Sequence, residues 1–274
     1  MGTPVIQLGG HRRALIILGW KGAEMAVHLE VVARVATITI DRPGIRNAID
    51  QATAHAISVS IGNADANPAA RVIVITGTGG YFCAGIDHEA FARGELFHSP
   101  TNGFAGVTKR VLKKPLIAAV EGGALDAGFE IALSCDMIVA AEDALFGLTE
   151  IKRGTVPNAG GLVKLPRQLP PKIAAELVMT GETVSSAFLA SLGLVNRTVP
   201  RGEALCAARE LATKIAANDP LSIEISKRVL NESQDWLVCE LFDRQSAITA
   251  PVLASAREAA SSPAGKGDGT TTGP

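Results

Sequence analysis

Aromatic residues are scarce, at 4% of 274, and neither sign of charge dominates: 26 Lys and Arg stand against 27 Asp and Glu, a formal net charge of −1. With few rings available, a core must be built from Ala, Val, Leu and Ile, which the 47% apolar content supplies. Without a basic excess there is little to hold a polyphosphate backbone, which argues against nucleic acid as a partner. The cysteines, Cys83, Cys135, Cys206 and Cys239, form no C-x-x-C pair. They read as reduced thiols in a cytoplasmic protein, not as a disulfide frame or zinc site. The apolar stretch in His11-Arg-Arg-Ala-Leu-Ile-Ile-Leu-Gly-Trp20 has a basic flank but is too short to span a bilayer, and no small-residue cleavage site follows it. Several catalytic signatures are also missing. Gly77-Thr-Gly79 has Phe82 where a dinucleotide fingerprint needs its third glycine, and no G-x-x-x-x-G-K-[ST] phosphate loop is present. His88-Glu89 lacks the second histidine of H-E-x-x-H, and no Gly-x-Ser-x-Gly offers a serine nucleophile. Cys83 reads as a small buried thiol.

What is present is a strand-rich first half and a helix-rich second half. Residues 1–26 read as an N-terminal extension of mixed character. Residues 27–33 and 35–40 are β-branched and partly alternating, which predicts two strands, the second broken by Asp41-Arg-Pro-Gly44. Apolar residues at Ala54, Ile57, Ile61 and Ala64 predict a helix from Asp50 to about Asn67, closed by Pro68. Strands are predicted at 71–76, 115–120 and 137–141, with a mobile stretch over 91–103. From about residue 159 the pattern becomes helical, at 171–180, 185–192, 202–218, 220–231 and 234–247, interrupted by an extended 193–199. The end of the chain, 256–274, reads as a disordered tail, with Gly, Ser, Thr and Pro prevailing from Ser261.

Two segments carry the chemistry. Arg71-Val-Ile-Val-Ile-Thr76 runs into the glycine-punctuated loop that ends at Asp87, and Pro115-Leu-Ile-Ala-Ala-Val120 runs into Glu121-Gly-Gly-Ala-Leu-Asp-Ala-Gly-Phe-Glu130. Strand, glycine-rich turn and helix start thus occur twice, and each turn can aim backbone N–H groups at one point. A second acid, Glu150, follows downstream. An anion-binding pair of turns with two carboxyls suits stabilising an enolate while protons move. Taken singly, Glu130 reads as a solvated helix residue and Glu150 as a cap on the Ile151-Lys-Arg segment.

Thr39–Ala48, Val74–Asp87, Glu121–Asp136 and Phe146–Gly161, in this order and spacing, resemble the enoyl-CoA hydratase/isomerase (crotonase) superfamily, with weaker agreement at Thr180-Gly-Glu and Gly193–Arg197. The resemblance covers about residues 27–255. It implies an α/β fold, the crotonase (ClpP-like) spiral of repeated ββα units, with two roughly perpendicular sheets and a helical C-terminal trimerisation region. The implied division is an extension at 1–26, a spiral core at 27–200, a helical region at 201–255 and the tail. The carrier it implies is coenzyme A as part of an acyl-CoA thioester substrate, with no metal, flavin or nicotinamide cofactor. It also implies a homotrimer or dimer of trimers, without nucleic acid or membrane.

By the same resemblance the backbone N–H groups of Ile86 and Ala127 form an oxyanion hole. Glu130 and Glu150 match the two catalytic glutamates of the family's hydratases, and together at these positions they read as a functional pair. Arg46 to Ala48 and the Ala84–His88 loop, with Gly85, Ile86 and Asp87, would line the pantetheine channel, and Ala127 with Gly128 would flank the thioester. Arg46 either faces a phosphate or is solvated; His88 either touches ligand or starts the next helix. Both glutamates together favour reversible syn hydration of a trans-2-enoyl-CoA to a 3-hydroxyacyl-CoA, in fatty-acid β-oxidation or related acyl-CoA catabolism. The rivals are an enoyl-CoA isomerase, a carnitinyl-CoA-type dehydratase, a thioester hydrolase, an RNA-binding relative, or an inactive member. Three departures from the family pattern stand out. Asp126-Ala127-Gly128 replaces a run of glycines, with Asp126 expected to N-cap the helix that carries Glu130. Thr149 replaces a proline common before the second glutamate. The stretch after Ala254 lacks the basic and aromatic ending of many relatives.

Overall fold

The computed structural model describes residues 7–8, 14–16 and 26–261. Strands β1 (Gln7–Leu8), β2 (Ala14–Ile16), β3 (Val27–Val32) and β4 (Val35–Ile40) run antiparallel in succession. A 3-10 turn at Pro43–Ile45 and helix α1 (Gln51–Ala66) lead to β5 (Val72–Gly77), the short helix α2 (His88–Ala92), and a hairpin of β6 (His98–Ser99) and β7 (Gly103–Phe104). Next come β8 (Leu116–Val120), β9 (Gly123–Leu125) and α3 (Ala127–Ala132), then β10 (Met137–Ala141), β11 (Leu145–Gly147), a 3-10 turn at Glu150–Arg153 and α4 (Gly161–Gln168). Then α5 (Pro171–Thr180), β12 (Val184–Ser185), α6 (Ser186–Ser191), β13 (Arg197–Val199) and α7 (Ala204–Ala216) complete a compact unit that ends at Ala217. A second unit, from Asn218, holds α8 (Pro220–Glu232) packed on α9 (Leu241–Ser261).

The main sheet has the order β1-β2-β3-β4-β5-β8-β10-β13 and is parallel from β4 onward. Its central strands are buried on both faces, which explains their unbroken apolar runs. Because side chains alternate along a strand, Ile73, Ile75, Ala118 and Val120 face the core with Ile57, Ile61 and Ala64 of α1. Val72, Val74, Ile117, Ala119 and Val139 face the other way, onto Ala208, Ala212 and Ala216 of α7. Alanine every fourth residue gives α7 a flat stripe that lies close to the sheet. Glu121, 8% exposed, fastens the start of that helix by accepting the amides of Gly202 and Ala204 at 3.0 and 2.8 Å.

A second, smaller layer makes the spiral. The strands β9 and β11 pair in parallel, β12 adds antiparallel, and Cys83 bridges to Ala124 while Ile86 bridges to Ile49. Each turn therefore runs from a main-sheet strand, through one segment of the small layer, into a helix or 3-10 turn. The segments around Cys83–Ile86, β9 and β11 stack side by side, so whatever follows each of them emerges on one edge. Ile86 ends the first of these segments, Ala127 and Glu130 come soon after β9, and Glu150 soon after β11.

Several expectations change. The first compact unit closes after α7, whose alanine stripe packs on the sheet. The last helix lies at Leu241–Ser261, displaced from 234–247, and continues through Pro251, so residues 256–261 are helical where a disordered tail was expected. The rest of that tail lies outside the described residues. Within the expected extension, β1 and β2 join the sheet edge, and the remainder of 1–25 likewise lies outside the described residues. The 91–103 stretch contains the end of α2 and strand β6. Among the described residues no helix is long and apolar enough to cross a membrane.

Candidate active site

The site begins at the bend after β4. Arg42 reaches across it, donating to the Ala48 carbonyl at 2.7 Å and pairing with Asp50 at 2.9 Å and Asp87 at 3.2 Å. Asn47, fully buried at φ 56°, accepts the Arg42 amide at 2.8 Å and donates to the carbonyls of Thr78 and Tyr81 at 2.9 and 2.6 Å. Asparagine tolerates this left-handed backbone better than most residues. It pins the glycine-rich loop to the bend, and the Ala84 amide adds a bond to the Arg46 carbonyl at 2.9 Å. Sequence reading assigned no role to Arg42 or Asn47: Arg42 lies in the Asp41-Arg-Pro-Gly44 strand break, and both lie in the Thr39–Ala48 stretch that carries the resemblance. Asn47→Ala would remove three hydrogen bonds to partly buried backbone groups and place alanine at a left-handed angle, with an expected loss of roughly 3 kcal/mol of stability. Urea denaturation measures it, and an unchanged midpoint would show that the loop does not depend on this side chain.

The two glycine-rich turns touch at Gly85. The Cys83 amide donates to the Gly123 carbonyl at 3.2 Å and the Leu125 amide donates to the Cys83 carbonyl at 3.0 Å, on either side of Ala124. Gly85 has φ +96°, and a Cβ placed there would lie 3.0 Å from Asp126 Cβ, 3.1 Å from the Leu125 carbonyl and 3.2 Å from the Ala127 nitrogen. Only glycine lets the loops approach this closely. Gly128 serves the same approach from the other side, since a Cβ on it would stand 2.3 Å from the Cys83 carbonyl oxygen. The Ile86 and Ala127 amides donate to no other group among the described residues. Ile86 sits between bonds of its neighbours to Ile49, and Ala127 is the first residue of α3, whose leading amides have no partner within the helix. Cys83 is fully buried, and burial pushes its thiol up to about 12, which makes it inert.

Beside this contact lies an open cleft of about 560 Å³. Arg46, Ala48, Ala84, Ile86, Asp87 and His88 line it, together with Leu125, Asp126, Thr149 and Arg153. Asp87 is spoken for: it N-caps α2 through the amides of Glu89 and Ala90 and pairs with Arg42. Burial raises its carboxyl, but the Ala90 amide and Arg42 outweigh that, and the net displacement is downward. Arg46 lies over the Tyr81 ring at 5.7 Å, while His88 is the exposed first residue of α2. Gly85, Ala127 and Gly128 are buried and stand behind the cleft surface.

Both glutamates are buried, Glu130 at 1% and Glu150 at 8% exposure. Their surroundings differ. Glu130 Oε1 accepts the amides of Ala159 and Gly161 at 2.8 and 2.6 Å, from the turn into α4 and its first residue. Burial raises its carboxyl to about 7 in spite of those donors. Glu150 heads the 3-10 turn, and its Oε2 is buried without any hydrogen-bond partner. Burial, then the charges of Asp126 and Glu130, push it up to about 8. Asp126 occupies the N-cap position of α3, but its side chain makes no capping bond. It turns away to accept the Thr149 amide and hydroxyl, both at 2.7 Å, and to pair with Arg153. Partners 23 and 27 residues away in sequence left no local signal for this link.

Comparison with known proteins shows likeness in sequence and in fold. A family model described as enoyl-CoA hydratase/isomerase matches residues 30–254. A carnitinyl-CoA dehydratase of Salmonella enteritidis is 42% identical over 219 residues, covering 78% of this chain and 84% of its own. Among solved structures, an enoyl-CoA hydratase from Mycobacterium marinum superposes with a TM-score of 0.84 at 44% identity, covering 86% of this chain and 94% of that one. A carnitinyl-CoA hydratase from Mycobacterium avium does so with a TM-score of 0.75 at 39% identity, over 86% and 97%. Since likeness in sequence and in fold extends over most of its length, this chain belongs to the enoyl-CoA hydratase/isomerase (crotonase) family.

Proposed function

We propose that the protein is an enoyl-CoA hydratase, a hydro-lyase that adds water reversibly and syn across a trans-2-enoyl-CoA to give a 3-hydroxyacyl-CoA. The observation that carries the reading is one pair of buried carboxyls in opposite surroundings beside two amides that bond nothing else. The thioester oxygen sits between the N–H groups of Ile86 and Ala127. They bind the enolate more strongly than the neutral carbonyl, because charge grows on that oxygen in the transition state. Glu130, which accepts two amides, takes the anionic role and draws a proton from water as it attacks C3. Glu150, buried with its Oε2 unpartnered, carries the proton that goes to C2. Water is consumed and no electrons change hands, so the step balances without metal, flavin or nicotinamide. Coenzyme A enters and leaves as part of the substrate, along the cleft between the Arg46–Ala48 bend and the Ala84–His88 loop.

A second reading rests on the 42% identical relatives named carnitinyl-CoA dehydratase. The same residues run in reverse would remove water from a 3-hydroxyacyl-CoA that bears a quaternary ammonium. Supplying crotonyl-CoA and crotonobetainyl-CoA in parallel separates the two by which substrate loses its conjugated absorbance. Release of free CoA, or migration of the double bond without loss of the enoyl group, would overturn both readings. A cytoplasmic setting fits cysteines that are all free among the described residues. A trimer or dimer of trimers fits the exposed Leu221, Leu230, Leu237, Val238 and Phe242 of the second unit. Light scattering on the purified chain tests the assembly, and a monomer at micromolar concentration would exclude it.

A further inference from the structure

Asp126 and Thr149, both departures from the family pattern, are partners in space. Thr149 donates both its amide and its hydroxyl to Asp126 Oδ1, Arg153 donates to the Thr149 hydroxyl at 3.1 Å, and Arg153 closes the ring by pairing with Asp126 Oδ2. A proline at 149 would have no N–H to give. The backbone at Asp126 has φ 52° and ψ −127°, a conformation that favours glycine, so an L-residue is held there under strain. Strain kept in place by three side-chain bonds, on the residue that directly precedes the Ala127 amide, calls for a function.

That function follows from what Asp126 faces. Asp126, 7% exposed, shares the cleft wall with Thr149 and Arg153, and the next residue after Thr149 is Glu150, with its unpartnered Oε2. Asp126 and Glu130 are the charges that act on the Glu150 carboxyl. Of the cations on its own turn, Arg153 is paired with Asp126 and Lys152 with Glu182. Helix α5 packs against this turn and carries Lys172 and Glu176. We propose that Asp126 is a positioning residue for Glu150: a negative charge, locked by Thr149 and Arg153, that fixes the turn carrying Glu150 and keeps the proton on that carboxyl in the resting site. Arg153 has a matching task, to offset the Asp126 charge so that it does not oppose the enolate held at Ala127. The proposal rests on the hydratase reading for what the proton is used for, but not for where the proton sits.

The test is a carboxyl titration on the full chain, labelled with side-chain carbon-13 glutamate, with the Glu150 resonance assigned through Glu150→Gln. Asp126→Asn keeps the shape and the acceptor for Thr149 but removes the charge. It should lower the Glu150 midpoint by roughly one pH unit. Arg153→Gln uncovers the Asp126 charge and should move the midpoint the opposite way. The basic limb of the pH–rate profile for crotonyl-CoA should move with each midpoint. Shifts of opposite sign are not produced by mere loosening of a loop. Midpoints that stay put in both folded variants, or move together, would overturn the proposal. Should Asp126→Asn not fold, the upward shift in Arg153→Gln supports the proposal, and an unmoved midpoint there overturns it. If no enoyl-CoA is turned over by the parent, the hydratase reading falls, while the titration still decides the role of Asp126.

Discussion

Glu150→Gln is expected to abolish hydration of crotonyl-CoA while leaving binding of a CoA ester within a few-fold. Glutamine keeps the volume and polarity of the buried side chain but cannot carry and release the proton destined for C2. A positioned general acid or base contributes about 10²–10⁴-fold, and a loss of that size in kcat is the expected result. Binding should survive because, on the proposed reading, the thioester oxygen would be held by the main-chain amides of Ile86 and Ala127, which the substitution does not touch. Calorimetry with acetoacetyl-CoA measures binding, and the decay of enoyl absorbance measures turnover. Retained turnover would remove Glu150 from the mechanism.

The same variant has a signature in stability. Burial raises both glutamates above the ordinary 4.5, Glu130 to about 7 and Glu150 to about 8. The folded protein therefore keeps protons that the unfolded chain has released. Stability falls as pH rises from about 4.5 through the folded values, and levels off beyond them. Glutamine has no proton to lose. Between pH 5 and pH 8 the melting temperature of Glu150→Gln should therefore improve relative to the parent, even as catalysis disappears. A difference in melting temperature that is the same at both pH values would show that Glu150 titrates normally in the fold.

The second large effect is expected at Gly85. Gly85→Ala adds a Cβ within 3.0–3.2 Å of three atoms, among them the Leu125 carbonyl oxygen and the Ala127 nitrogen, at a backbone angle of +96°. These neighbours are backbone or sit close to it, so relief requires the two turns to separate. Separation pulls apart the Ile86 and Ala127 amides, and loss of one such donor costs about 10²–10³-fold in kcat. Strain in the backbone adds about 1–3 kcal/mol of destabilisation. Gly80→Ala is the matched control: its φ is +70°, but nothing lies within 4 Å of the added methyl. It should cost about 1–2 kcal/mol and spare kcat. Equal kcat in the two variants would show that the contact at Gly85 does not set the oxyanion geometry.

Much of this architecture was legible along the chain. Strands β3, β4, β5, β8 and β10 announce themselves through β-branched runs, and α1 through its apolar spacing, because burial on a sheet or against one acts at periods of two or of 3.6 residues. Strands β9 and β11, three residues each, were not legible. So short a segment shows no period, and it becomes a strand only by pairing with its neighbour in the next turn of the spiral. The start of α7 depends likewise on Glu121, 81 and 83 residues away from the amides it accepts. The long last helix passes through Pro251, which local rules take as a stop, and α4 holds Pro166.

By itself the sequence determined which groups are the candidates for the proposed chemistry: two glycine-rich turns with amides to offer, Glu130 and Glu150, and a bend and loop that would line a channel. These are local matters of residue type and backbone freedom. The tertiary structure alone decided the condition of those groups. Two distant amides are aimed at Glu130, Glu150 Oε2 is buried with no partner, and Asp126 abandons its helix for Thr149 and Arg153. Proton placement depends on desolvation and on charges brought close by folding, and neither is a property of residues adjacent in sequence.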